Sequence, residues 1–97
     1  MQEGRVIATA TDPDGRSVEL TAERWQHILD GHPELGPFQH LVLRAVANPD
    51  RRLAGRFADE AWFYLATDRP SRWLKVVVRY AAERGTIVTA FPRRSFP

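Results

Sequence analysis

Cysteine is absent from the 97 residues, which excludes disulfides and every thiolate metal site. No apolar run approaches the roughly 20 residues that a bilayer crossing needs, and no basic N-terminal region leads into a long apolar one. The expectation is a soluble, unexported chain, with the cytoplasm as default compartment. Internal repeats, linkers and low-complexity tracts are missing as well. With 43% hydrophobic and 27% charged residues, the chain is expected to build one small domain over 1–97 around a single core.

Lysine is almost as scarce as cysteine: of the 14 cations only Lys75 is not arginine. Arginine suits bidentate phosphate contact. The net charge of +2 is unevenly placed. Four arginines face seven carboxylates in residues 1–48, while ten cations face five carboxylates in 49–97, so the strand-rich second half is the basic half.

Trp73-Leu74-Lys75-Val76-Val77-Val78-Arg79-Tyr80 reads as a central strand, since β-branched and aromatic residues dominate it. Alternation puts Leu74, Val76, Val78 and Tyr80 on a core side and Trp73, Lys75, Val77 and Arg79 on a cationic side. Further strands are predicted over 52–57, 61–66 and 86–91. Short polar connections favour an antiparallel four-stranded meander over 52–91. Its core face is expected to take Leu53, Phe57, Phe63, Leu65, Leu74, Val76, Val78, Val88 and Ala90.

Ahead of that sheet, strands at 5–10 and 17–20 flank the turn formers Thr11-Asp12-Pro13-Asp14-Gly15, an N-terminal hairpin over 1–20. Thr21 suits an N-cap, with Glu23 in the first turn and Leu20 positioned to staple onto Trp25. Trp25, Ile28 and Leu29 give the first helix its buried stripe, and Gly31 suits its C-terminal side. A second helix follows Gly36-Pro37, with Pro37 at N1 and Phe38, Leu41, Val42, Ala45 and Val46 inward. It ends at Asn48-Pro49-Asp50. The fold class is α+β: an N-terminal hairpin and two helices over 22–47 packed on the four-stranded antiparallel sheet, with 92–97 leaving as a basic tail. Trp25, Ile28, Leu29, Leu41, Val42, Phe63, Leu65, Val76 and Val78 are the expected core.

If both helices cover one face, the other shows Arg52, Arg56, Trp62, Tyr64, Trp73, Lys75, Arg79, Thr89 and Phe91. Cations interleaved with aromatics suit RNA, because guanidinium groups meet phosphates and rings stack on unpaired bases. The same rings also suit burial against the hairpin or a second subunit, and both readings stay open. His27 and His32 lie about 500° apart on a helix and share no face, so a His-Glu-x-x-His zinc site is not present. His27 points away from the apolar stripe, where a histidine is usually a polar surface residue and can also serve as general acid or base. His40 reads as surface.

The segments Trp25-Gln26-His27-Ile28-Leu29-Asp30-Gly31-His32-Pro33-Glu34, Ala47-Asn48-Pro49-Asp50, Trp73-Leu74-Lys75-Val76-Val77-Val78 and Ile87-Val88-Thr89-Ala90-Phe91 resemble the phage-associated branch of the barnase/EndoU/colicin/RelE-like nucleases. The resemblance spans about residues 18 to 92. It implies helices on a four-stranded antiparallel sheet and RNA cleavage without metal or other cofactor, as many but not all members perform. By resemblance His27 transfers a proton, Lys75 and Arg79 stabilise the transition state, and Thr89 donates to a phosphoryl oxygen. Tyr64 stacks on a base or shares proton transfer, while Arg52, Arg56, Trp62, Trp73 and His32 contact RNA. The expected partners are RNA, with tRNA among the candidates, and a cognate inhibitor or antitoxin. A homodimer through the aromatic face is a third partner reading. The competing expectation is a non-catalytic member that binds RNA or protein.

Overall fold

The computed structural model describes residues 4–96. Residues 1–3 and 97, which the expected hairpin and tail include, lie outside the described residues. β1 (Val6–Thr11) and β2 (Ser17–Thr21) form the hairpin. Asp12 builds its turn: the carboxylate accepts from the backbone N–H of Asp14 and Arg16, both at 2.9 Å, and Gly15 takes the φ of 85° that the reversal requires. Thr21 then caps α1 (Ala22–Gly31), its hydroxyl accepting from the Arg24 N–H at 3.1 Å. Pro33–Phe38 form a 3-10 segment that buries Leu35, so α2 is Gln39–Ala47. Pro37 therefore lies inside the 3-10 segment, not at the first position of the second helix. The α2 stripe is as expected, with Val42, Ala45 and Val46 buried.

β3 (Arg51–Ala54), β4 (Glu60–Ala66), β5 (Trp73–Ala81) and β6 (Arg84–Arg93) pair antiparallel in sequence order. They do not make a separate four-stranded sheet. Ser17, Val18 and Glu19 of β2 pair in parallel with Arg84, Gly85 and Thr86 of β6, giving one six-stranded mixed sheet ordered β1-β2-β6-β5-β4-β3. The hairpin joins because its alternate residues need burial: Val18 and Leu20 are fully buried in the same cluster as Ile28, Val42, Val76 and Val78. Gly85 makes room at the junction, since a Cβ there would lie 2.8 Å from the Tyr80 ring and 2.9 Å from Val78.

Register corrects the expected faces. Val77 pairs with Thr89 but Val78 pairs with Ile87, so a bulge falls at Val88 and Ile87, not Val88, joins Ala90 on the helix side. Arg52 pairs with Phe63 and Leu53 with Trp62. Arg52 therefore faces the helix side and Leu53 the open side, the reverse of the expectation. The inversion follows from strand length: β3 stops at Ala54, Arg56 and Phe57 fall in the turn before β4, and Phe57 is 51% exposed. Phe57 thus gives no phase to the strand. Ile28, Val42, Phe63, Leu65, Val76 and Val78 are buried as expected, Trp25 and Leu41 pack on the cluster half-buried, and Leu29 is half-buried outside it. Leu35 and Ile87 are core residues that the expected set lacked.

The position of α1 follows from where β2 ends. Beyond Thr86 the outer edge of β6 has no strand partner among the described residues, and α1 packs there. Arg24 donates from Nε and Nη2 to the Val88 carbonyl at 2.9 and 2.7 Å, satisfying an acceptor at the bulge. The hairpin turn bends over the helix-side face. There the Tyr80 hydroxyl donates to Asp12 at 2.7 Å and Arg52 reaches Asp14 at 2.8 Å.

Candidate functional site

On the open face, cross-strand partners lie side by side: Arg51 beside Tyr64, Tyr64 beside Lys75, Lys75 beside Phe91. Lys75 is only 7% exposed. Its Nζ lies 3.5 Å from the centroid of the Trp62 ring, 5.5 Å from Phe91 and 5.6 Å from Tyr64. Among the described residues it has no carboxylate partner. Burial pushes its pKa below the ordinary 10.5, Arg93 pushes it the same way, and the charge of Glu60 opposes them. The ring faces favour the ammonium. The outcome is a partly desolvated cation that no carboxylate among the described residues pairs with.

Around this centre the expected residues divide. Thr89 stands opposite Val77 on the open face, diagonal to Lys75, and half-buried. Trp73 pairs with Arg93, and its ring meets Tyr64 edge-on at 6.5 Å and 83°. Tyr64 is fully buried, and burial raises its pKa while Arg93 pulls it down. Arg79 shares the face but stands four residues along β5, roughly 13 Å from Lys75 at strand rise. It donates twice to Asp59, at 3.0 and 2.8 Å, and this bonding holds Asp59 below the usual carboxylate range. Arg79 and Lys75 therefore do not share one phosphate. Arg52 lies on the other face with Asp14. Arg56 is exposed in the β3–β4 turn near the Phe57 ring. Neither belongs to the Lys75 cluster.

The histidines reach the sheet from its edge. His32, at the end of α1, places its ring 5.9 Å from Phe91 and its Nδ1 3.2 Å from a Glu34 carboxylate oxygen. His27 is exposed and lies three residues beyond Arg24, so it shares the flank of α1 that Arg24 ties to Val88. That is the bulge next to Thr89. No hydrogen bond joins either histidine to Lys75, Thr89 or Tyr64 among the described residues. His40 is exposed on α2, its ring 6.5 Å from Phe38.

Two residues of this face were assigned to a departing tail. β6 runs on through Arg93, which pairs with Trp73. After a bend at 94–95, Phe96 turns back onto Tyr64 and Trp73 at 4.7 and 5.3 Å. A signal for Arg93 was present, because it continues the alternation of Thr89 and Phe91. A cleft of about 720 Å³ lies between the end of α2 and the β4–β5 connection, lined by Leu41, Arg44, Asp50 and Arg69 among others. None of the expected site residues lines it. Among the described residues no group of three or more His, Asp or Glu is spaced to hold a metal ion. Compared with known proteins, the chain matches no family model, no curated protein and no solved structure.

Proposed function

We propose that the open sheet face binds single-stranded RNA and cleaves it by attack of a ribose 2′-hydroxyl on the adjacent phosphorus. What carries this reading is Lys75: a side chain only 7% exposed with no carboxylate partner among the described residues, set among Trp62, Tyr64 and Phe91, with the positive charge of Arg93 alongside. A phosphate supplies the missing charge, and the rings supply stacking surface for the bases on either side. In the reaction the 2′-oxygen bonds to phosphorus as its proton passes to a base. The P–O5′ bond breaks as an acid protonates the departing oxygen, leaving a 2′,3′-cyclic phosphate and a 5′-hydroxyl. Lys75 stabilises the extra negative charge of the phosphorane, and Thr89 donates to a phosphoryl oxygen. His27 on α1 and His32 just past its C-terminal end, at the β6 edge, are the proton-transfer groups. Arg79, paired with Asp59, takes no part at the same phosphate.

A second reading, binding without cleavage, is favoured by one observation: no histidine is hydrogen-bonded to the Lys75 cluster among the described residues. The decisive experiment is incubation with unstructured RNA and total tRNA in EDTA, with mapped products. Cleavage to cyclic phosphates, lost on 2′-deoxy substitution at the cut site and reduced about 100-fold or more in His27→Ala or His32→Ala, is the expected result. Binding with no cleavage selects the second reading. Neither binding nor cleavage by a folded sample removes both.

A further inference from the structure

Tyr64 and Trp73 form an aromatic platform on the open face, and its outer side is taken by a residue of the same chain. Phe96 stands edge-on to Tyr64, with centroids 4.7 Å apart and planes at 87°, and tilts over Trp73 at 5.3 Å and 38°. The Arg51 guanidinium lies 5.8 Å from the Phe96 centroid. Beneath this lid Tyr64 has no exposed surface, and its hydroxyl has no hydrogen-bond partner among the described residues. A buried hydroxyl left unpaired is unfavourable and uncommon, and it points to a partner that arrives from outside. Phe96 offers the platform a ring but gives the hydroxyl no acceptor. A nucleobase offers both, a π-face together with carbonyl and ring-nitrogen acceptors on its edge.

We infer that the Tyr64–Trp73 platform is a nucleobase subsite and that Phe96 is its resident occupant, displaced when RNA binds. The inference rests on the RNA reading above and adds to it the position of one base and a competition for that position. An incoming base stacks on Trp73 in place of Phe96 and accepts from the Tyr64 hydroxyl. Its phosphate falls to Lys75, which is the cross-strand neighbour of Tyr64, and to Arg93, the neighbour of Trp73. Because both faces of a base in a duplex are already stacked, the subsite selects single strands. Every binding event also works against the contacts of Phe96, so affinity in the intact chain is lower than the platform alone would give.

The test is to titrate the full chain, Phe96→Ala and Phe96→Trp with a short labelled single-stranded RNA. An abasic oligomer with the same number of phosphates serves as the comparison, both followed by anisotropy. Phe96→Ala should tighten binding of the intact RNA by roughly 5- to 100-fold, the range that one stacked ring carries, and leave the abasic oligomer unchanged. Phe96→Trp, a larger occupant, should weaken the intact RNA. Equal effects on both oligomers, or binding of the intact RNA that neither substitution changes, would overturn the subsite and leave the RNA reading standing. If no form binds either oligomer, the RNA reading falls and takes the subsite with it.

Discussion

Lys75 sets a conflict between stability and function inside one side chain. A lysine whose pKa falls on folding binds its proton less tightly in the native state, so it lowers stability at every pH below its folded pKa. The cost fades only as pH rises toward the ordinary 10.5. Replacing it with a flexible apolar residue of similar length should therefore leave stability unchanged or raise it. Lys75→Met is expected to shift the urea midpoint upward or not at all, while weakening RNA binding and reducing its logarithmic salt slope by about 0.7. A loss of more than about 2 kcal/mol would mean that contact with Trp62 outweighs desolvation. Tyr64 makes the same point in a neutral group: its hydroxyl is buried and unpaired, so Tyr64→Phe should stabilise the fold by about 1 kcal/mol, measured by the same melt. That Lys75, Tyr64, Trp62, Trp73 and Phe91 share a face was legible from period-two alternation alone. That Arg79 is committed to Asp59 was not, because a turn residue 20 positions earlier leaves no periodic trace.

At the scale of elements, the strands and helices were legible and their pairing across the chain was not. Hydrophobic period and capping residues marked β2, α1 and β5 within a residue or two, since these signals are local. The parallel junction of β2 with β6 joins Val18 to Gly85, and no pattern within either segment encodes it. The bulge at Val88 is equally silent in sequence, yet it exchanges Ile87 for Val88 in the core and turns a carbonyl toward α1. Arg24 is what fixes the helix to that point, so its loss should be felt beyond its own contact. Arg24→Ala leaves the Val88 carbonyl short of its donors and should cost about 1 to 3 kcal/mol. It should also raise amide exchange over α1 more than over α2. Uniform exchange through both helices would show that α1 is held by its apolar stripe and not by the bulge.

At the scale of the whole molecule, the hairpin is one end of the sheet and β3 the other, and both are tied down by the same turn. Asp12 holds the turn with its carboxylate and receives the Tyr80 hydroxyl from β5, while Asp14 pairs with Arg52 on β3. The Arg16 guanidinium covers the Tyr80 ring at 3.8 Å. Burial pushes the Asp12 carboxyl upward, but the Arg16 N–H, the Tyr80 hydroxyl, the Arg16 charge and the Asp14 N–H together hold it below its ordinary 3.8. Burial first, then the hydrogen bond to Asp12 and its charge, push Tyr80 well above its ordinary 10, against the opposing charges of Arg16 and Arg52. A carboxylate with a depressed folded pKa contributes stability that is fully present above its unfolded value and lost as pH falls through the folded one. The fold should therefore weaken as pH drops below about 4, with the hairpin turn as the place where the loss is felt. Asp12→Asn keeps the acceptor oxygen and removes the charge, so it should lower stability at pH 7 by about 1 to 3 kcal/mol and flatten the acid limb. Thermal melts of both forms between neutral and acid pH measure the two effects together. Parallel curves, offset by a constant, would place the acid sensitivity elsewhere, with the Asp59–Arg79 pair the next to examine.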